Sequence, residues 1–155
     1  MQHSKNQLLQ ELRTTRTEMW QCLDELDETV EIYPGWKKRE FFSHVAGWEA
    51  MVFEVFQQHA AKQEPLHFDY AGVDAFNMRS VAVRQSLPLP DAKVECDIYR
   101  FAILTLLEQI DDFNDTVYLP WGPNTVTEFV EGAIEHERLH MADIMNLQRA
   151  DSATK

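Results

Sequence analysis

Apolar side chains return every three to four residues in four stretches of the chain: Leu8, Leu12, Met19, Leu23 and Leu26; Phe41, Val45, Trp48, Val52 and Val55; Val94, Ile98, Phe101, Leu104 and Ile110; Phe129, Ala133, Ile144 and Leu147. That spacing follows the 3.6-residue turn and predicts four long amphipathic helices with these residues inward. Ser4 with Gln7, and Thr125 with Glu128, have the capping-box form that opens a helix, and Asp91 reads as an N-cap. The first helix then starts after Ser4 and stops before Tyr33-Pro34-Gly35, and the second runs from near Lys37 to about Lys62. The third spans Asp91 to about Phe113-Asn114-Asp115, and the fourth follows Thr125. The looser segment from Glu64-Pro65 to Pro88-Leu89-Pro90 predicts a short helix over about Val73–Gln85, and Pro120-Trp121-Gly122-Pro123 predicts a turn. No run alternates as a strand bounded by hairpin turns does, so the fold class is all-α. Helices of this length span roughly 30 to 40 Å, which suits a four-helix bundle with a long crossover segment, containing the short helix, between helices 2 and 3. One domain covers 1–150, and 151–155 reads as a disordered tail.

Composition narrows the partners. Fourteen basic against twenty-six acidic side chains leave a net charge of −12, so the surface repels nucleic acid and anionic membrane. The densest basic run, Lys37-Lys38-Arg39, reads as a solvated helix start. The most apolar run, Phe41 to Phe56, is broken by His44, Glu49 and Glu54 and is too polar and too short to span a bilayer. The opening residues lack the apolar core of a secretory signal. Cys22 and Cys96 lie far apart without a CxxC pattern and read as small apolar residues in a reducing compartment. A cytoplasmic protein that binds neither nucleic acid nor membrane is the expectation.

The chemistry concentrates in the last stretch. His136-Glu137-Arg138-Leu139-His140 matches H-E-x-x-H, in which two histidines share a helical face. At 100° per residue His140 lies about 40° from His136, and Phe129 and Leu147 lie about 20° from it, so both imidazoles are expected to face the core. His44 falls on the stripe of Phe41, Trp48 and Val55 and is also expected inward. Three such rings can converge on one ion, which is how bundles assemble metal sites; a hydrogen-bonded histidine cluster is the alternative. His3 reads as solvated, His59 as lying at a polar helix end, and His67 as a loop residue.

A protease is not the expectation. Only 15 residues follow His140, among them Asp143 and Asp151, with neither a metzincin continuation nor room for a separate glutamate helix, and no sheet is foreseen to edge a cleft. The third ligand must then come from upstream. Glu137 lies about 100° round the helix from His136, near the edge of the apolar face. It reads either as a solvated carboxylate or as a catalytic base or outer-shell support. Asp143, about 20° from His136, reads either as solvated or as the group that orients a histidine N–H.

The stretch GWKKREFFSHVAGWEAMV resembles the GW-x-x-[KR]-[DE]-Φ-x-x-H-Φ-A-x-W-E signature of the DinB/YfiT-like metalloenzyme superfamily, and particularly of its ClbS/DfsB-like members. VDAFNMRSVAVRQSLPLPD is similar to the "FN…V" stretch those members carry before their third helix, and the final helix follows the tryptophan, turn and His-x-x-x-His pattern of the superfamily. The resemblance implies an up-and-down-type bundle, a facial site of His44, His136 and His140, and a divalent transition metal (zinc, nickel or iron). It implies a low-molecular-weight thiol in some members, which include S-transferases, a mycothiol-dependent isomerase and hydrolases, and it makes a homodimer the expected assembly. Three neutral imidazoles leave an ion with open positions. The function expected is therefore a metal-dependent enzyme acting on a small electrophile by hydrolysis or thiol S-transfer. A non-catalytic small-molecule-binding or protective bundle is the alternative, and a purely structural metal site a third reading. Trp48, Phe76, Asn77, Arg84 and Trp121 are the candidate substrate-binding residues. The aromatics read equally as core, and Arg84 as a surface ion pair.

Overall fold

The computed structural model describes residues 4–65 and 67–153; His3 and the last two residues of the expected tail lie outside them. The element order is α1 (Lys5–Asp24), α2 (Lys38–Ala60), α3 (Val73–Ala82), α4 (Leu89–Gln109), β1 (Thr116–Leu119), β2 (Gly122–Thr125) and α5 (Val126–Ala153). Four long helices and a short one in the connection after α2 match the sequence pattern. Helix α5 continues three residues into the stretch read as a tail. The Ser4–Gln7 capping box forms as expected, each side chain bonding the other's backbone N–H. Asp91 is not an N-cap: α4 begins two residues earlier, with Pro88 at the cap and Pro90 in the first turn, where a proline's missing N–H costs nothing.

The chain divides into two compact units. One comprises residues 1–38 and 126–155. Here α1 buries Leu8, Leu12, Met19 and Leu23 as the periodicity predicts, but the gap between Leu12 and Met19 is filled by Thr15 and Arg16, also buried. Arg16 donates from Nε (3.1 Å) and Nη2 (2.5 Å) to Glu137 Oε1 on α5, with both residues under 7% exposed. The Arg16 guanidinium also lies 4.7 Å over the Trp20 ring. Further along, Arg138 pairs with Glu11 and Gln148 Nε2 donates to the Cys22 carbonyl. Contact positions advance together on both helices, so α1 and α5 run parallel, where a strictly alternating up-and-down path would set first and last helices antiparallel.

The other unit comprises residues 39–125. Cys96 Sγ meets the Phe42 carbonyl at 3.1 Å, and Arg100 donates to Glu49 at 3.1 and 2.5 Å in a second buried ion pair. Register again advances together, so α2 and α4 are parallel. Two parallel neighbours require the chain to travel back the full length of the first, roughly 35 Å for α2. Residues 61–88 make that return, and α3 lies antiparallel to α2 within them: Gly47 faces Ser80, Trp48 Nε1 donates to Asn77 Oδ1 (2.7 Å), and Arg39 Nη1 donates to the Gln85 carbonyl (2.9 Å).

Two sequence expectations are corrected. On α4 the buried residues are Ala92, Cys96, Arg100, Ile103 and Leu107, whereas Val94, Ile98 and Phe101 are more than half exposed. Burying the Arg100–Glu49 pair turns the helix away from its most apolar stripe. The turn at Pro120-Trp121 closes an antiparallel hairpin, Thr116 opposite Thr125 and Leu119 opposite Gly122, so the fold is mostly helical with a small sheet. A two-stranded sheet is marginal alone; burial of Val117 and Leu119 under an exposed Tyr118 anchors this one. No helix among the described residues is long and apolar enough to cross a membrane.

Two substitutions test this packing. A Cβ at Gly47 would lie 2.2 Å from Ser80 Oγ, so Gly47→Ala is expected to lower unfolding free energy by about 1–3 kcal/mol in urea melts, and Ser80→Gly to recover most of it; an unchanged midpoint contradicts the close approach. Glu137→Gln leaves the Arg16 charge buried and is expected to cost about 3–5 kcal/mol, partly regained in Arg16→Met/Glu137→Leu; a cost below about 1 kcal/mol would show the pair to be solvated.

Candidate metal centre

Tyr33-Pro34-Gly35-Trp36 forms a tight turn. Proline presets the second position, Gly35 takes φ +77°, and Trp36 N–H closes on the Tyr33 carbonyl at 2.8 Å, as a type II turn requires. Ile32 N–H bonds the Trp36 carbonyl at 2.7 Å, and the Trp36 ring meets the Tyr33 ring edge-on at 6.0 Å. The turn therefore holds the Tyr33 side chain from backbone and ring alike. Its hydroxyl lies 2.7 Å from His140 Nδ1 and donates to Asp143 Oδ2 at 2.7 Å. Burial first, then the bond to Asp143 and that residue's charge, push the Tyr33 pKa well up, so the phenol keeps its proton at neutral pH.

On α5 the buried line runs through Val126, Val130, Ile134, Glu137, His140 and Ile144. The expectation that both histidines face inward is half corrected: His140 is 8% exposed, but His136 lies on the solvent side. Glu137, expected near the edge of the apolar face, is the buried member, drawn in by Arg16. The His136 and His140 rings are still neighbours, with centroids 4.4 Å apart, as an i, i+4 pair should be.

His44 lies on α2, 3% exposed, with Phe41 at 6.3 Å and Trp48 at 6.5 Å between ring centroids. His44, His136 and His140 each offer one ring nitrogen, and the three lie within 4.8 Å of one another. A 2+ ion with Zn–N bonds of about 2.0–2.1 Å fits such a set, and all-imidazole ligation suits zinc, nickel or iron alike. The three-histidine cluster can thus bind a metal.

Of the candidate substrate residues, Trp48, Phe76 and Trp121 gather into one aromatic group. Trp48 lies 4.5 Å from Phe76 and 5.7 Å from Trp121. Tyr70, which sequence reasoning missed, packs against all three at 6.2 Å. Trp121, at the hairpin turn, is 48% exposed. Asn77 accepts from Trp48 through its oxygen, which orients its amide. Arg84 is engaged elsewhere, donating to both oxygens of Glu95 and to the Ser80 carbonyl, as the ion-pair reading anticipates. Asp143 is exposed and is linked to His140 through the Tyr33 hydroxyl. Arg16, Tyr33 and Tyr70 were therefore the residues missed. For Arg16 the signal was present in its place on the Leu12–Met19 stripe, and for Tyr33 in the rigid Y-P-G-W turn.

No protein-family model matches the chain, and no curated protein matches it. Solved structures do. A mycothiol-dependent maleylpyruvate isomerase superposes with a TM-score of 0.74 at 12% identity, over 92% of this chain and 61% of that one. A protein from Streptococcus pneumoniae superposes with 0.77 at 11% identity, over 96% and 92% of the two chains. An uncharacterized protein from Clostridium difficile 630 gives 0.76 at 12% identity, over 96% and 98%. The chain spans about three fifths of the isomerase's length. At these identities the likeness is one of fold.

Proposed function

We propose that this chain is a metal-dependent enzyme that acts on a small electrophilic molecule by hydrolysis or by transfer of a low-molecular-weight thiol, with His44, His136 and His140 as the metal ligands. The observation that carries the reading is the convergence of three imidazole nitrogens within 4.8 Å. A bound zinc, nickel or iron ion would supply a Lewis acid with open positions. The fold shared with a mycothiol-dependent isomerase supports the thiol branch, and the G-W…H…A-x-W-E motif supports a place near the ClbS/DfsB-like members.

The chain's own residues supply the rest. His136, on the solvent side, is the ligand beside which a substrate enters, while His44 and His140 are buried. Trp48, Phe76 and Trp121 form an aromatic wall next to His44 for the apolar body of the substrate. The Asn77 amide, aligned by Trp48 Nε1–H, offers N–H donors to a substrate oxygen. Glu137 is tied to Arg16 and acts as a brace for the helix that carries both histidines. The two thiols and the acidic surface fit a cytoplasmic setting.

Elemental analysis of protein made in metal-supplemented medium and purified without a nickel column is expected to find about one transition-metal ion per chain. His136→Ala, at an exposed position, is expected to lose it while leaving the helical circular dichroism intact. Absence of stoichiometric metal, or its retention when all three histidines are alanine, overturns the proposal. Small-molecule binding that survives both chelation and the triple alanine variant would instead mark a non-catalytic binding protein.

A further inference from the structure

We infer that Tyr33 is a positioning residue which, with Asp143, holds His140 in the tautomer protonated at Nδ1, so that Nε2 carries the lone pair a metal needs. The inference rests on the metal reading above and adds to it a residue outside the ligand set.

The Tyr33 hydroxyl lies 2.7 Å from two atoms, His140 Nδ1 and Asp143 Oδ2, and it has one hydrogen. A carboxylate can only accept, so that hydrogen goes to Asp143. The contact with His140 is then a hydrogen bond only if the ring nitrogen is the donor, and the phenol oxygen accepts it. An Nδ1–H imidazole leaves Nε2 deprotonated. The carboxylate thus selects the tautomer at one remove, its influence passed through a phenol, in the way outer-shell groups generally orient metal-binding histidines.

The construction is visible at each level. His140 and Asp143 are three apart on α5, so they share a face and one side chain can touch both. Tyr33 stands at the first position of a turn whose second and third residues are proline and a left-handed glycine, which restricts the backbone that carries the tyrosine. The ring is braced by Trp36 at 6.0 Å and meets the His140 ring edge-on at 5.8 Å. Such a support limits the freedom the histidine must surrender on ligation.

The test uses the full-length, metal-free protein labelled with 15N. Long-range 1H–15N spectra at alkaline pH, with His140 assigned by its loss in His140→Ala, are expected to show Nδ1 protonated and Nε2 bare. Tyr33→Phe keeps the ring and removes the hydroxyl; His140 is then expected to populate both tautomers, and zinc affinity measured against a competing chelator to fall about 10–100-fold. Asp143→Ala gives a sharper outcome: with the carboxylate gone, the hydroxyl turns its hydrogen toward His140 Nδ1. The ring proton is expected to move to Nε2, and zinc affinity to fall at least as far. Asp143 is exposed, so this variant does not test folding. An Nε2–H ring in the unaltered protein, or a tautomer that ignores both substitutions, overturns the inference. The spectra are recorded without metal, so failure of the unaltered chain to bind zinc would count against the metal reading and is read separately.

Discussion

The rotation of α5 about its own axis is set by one buried charge pair. A carboxylate taken out of water must be matched, and Glu137 finds its match in Arg16, itself buried on α1 and stacked over Trp20. With Glu137 at the centre of the buried line, His136 is carried about 100° to one side, into solvent, and His140 falls back under cover. The H-E-x-x-H pattern is therefore kept for a different physical purpose from that in zinc proteases. Its glutamate anchors the helix, and the anchoring leaves one histidine exposed and the other braced by Tyr33.

The same constraint operates in the other unit. Arg100 and Glu49 pair in the interior between α2 and α4, and that pairing decides which face of α4 is buried. Both helix pairs run parallel, and the parallel course of α2 and α4 makes the long connection obligatory. Helix α3 is the return path given structure. It lies close enough to α2 that only glycine is accommodated at position 47, and it brings Phe76 and Asn77 to Trp48 and thereby to the surroundings of His44. The hairpin completes that group by delivering Trp121. Topology thus supplies an aromatic wall beside the histidine that α2 contributes.

Helix content, helix order and the three histidines were legible in the sequence because each depends on local spacing. The capping box at Ser4 and the inward stripe of α1 follow from residues within a few positions of one another. What the pattern hid has a common physical origin, the pairing of charges far apart in the chain. Hydrophobic periodicity treats Arg16, Glu49, Arg100 and Glu137 as surface residues. It therefore places Val94, Ile98 and Phe101 inside, and it turns α5 so that both histidines point inward. The strands were hidden for another reason: four residues such as Thr116–Leu119 are too few for alternation to stand out from a short apolar run. Tyr33 reaches across more than a hundred residues to His140; the rigid Y-P-G-W turn marks the tyrosine as fixed, but its partner lies too far along the chain for local spacing to name it.

Of the three clustered imidazoles two are buried and one is exposed. On the proposed function the three histidines hold one ion and leave part of its shell open. An anomalous difference map from crystals of metal-loaded protein, collected at the absorption edge of the added metal, tests this directly. A single strong peak is expected, bonded by His44, His136 and Nε2 of His140 at about 2.0–2.2 Å, with at least one further position filled by solvent. A peak elsewhere, or one closed by a fourth protein ligand, would contradict it.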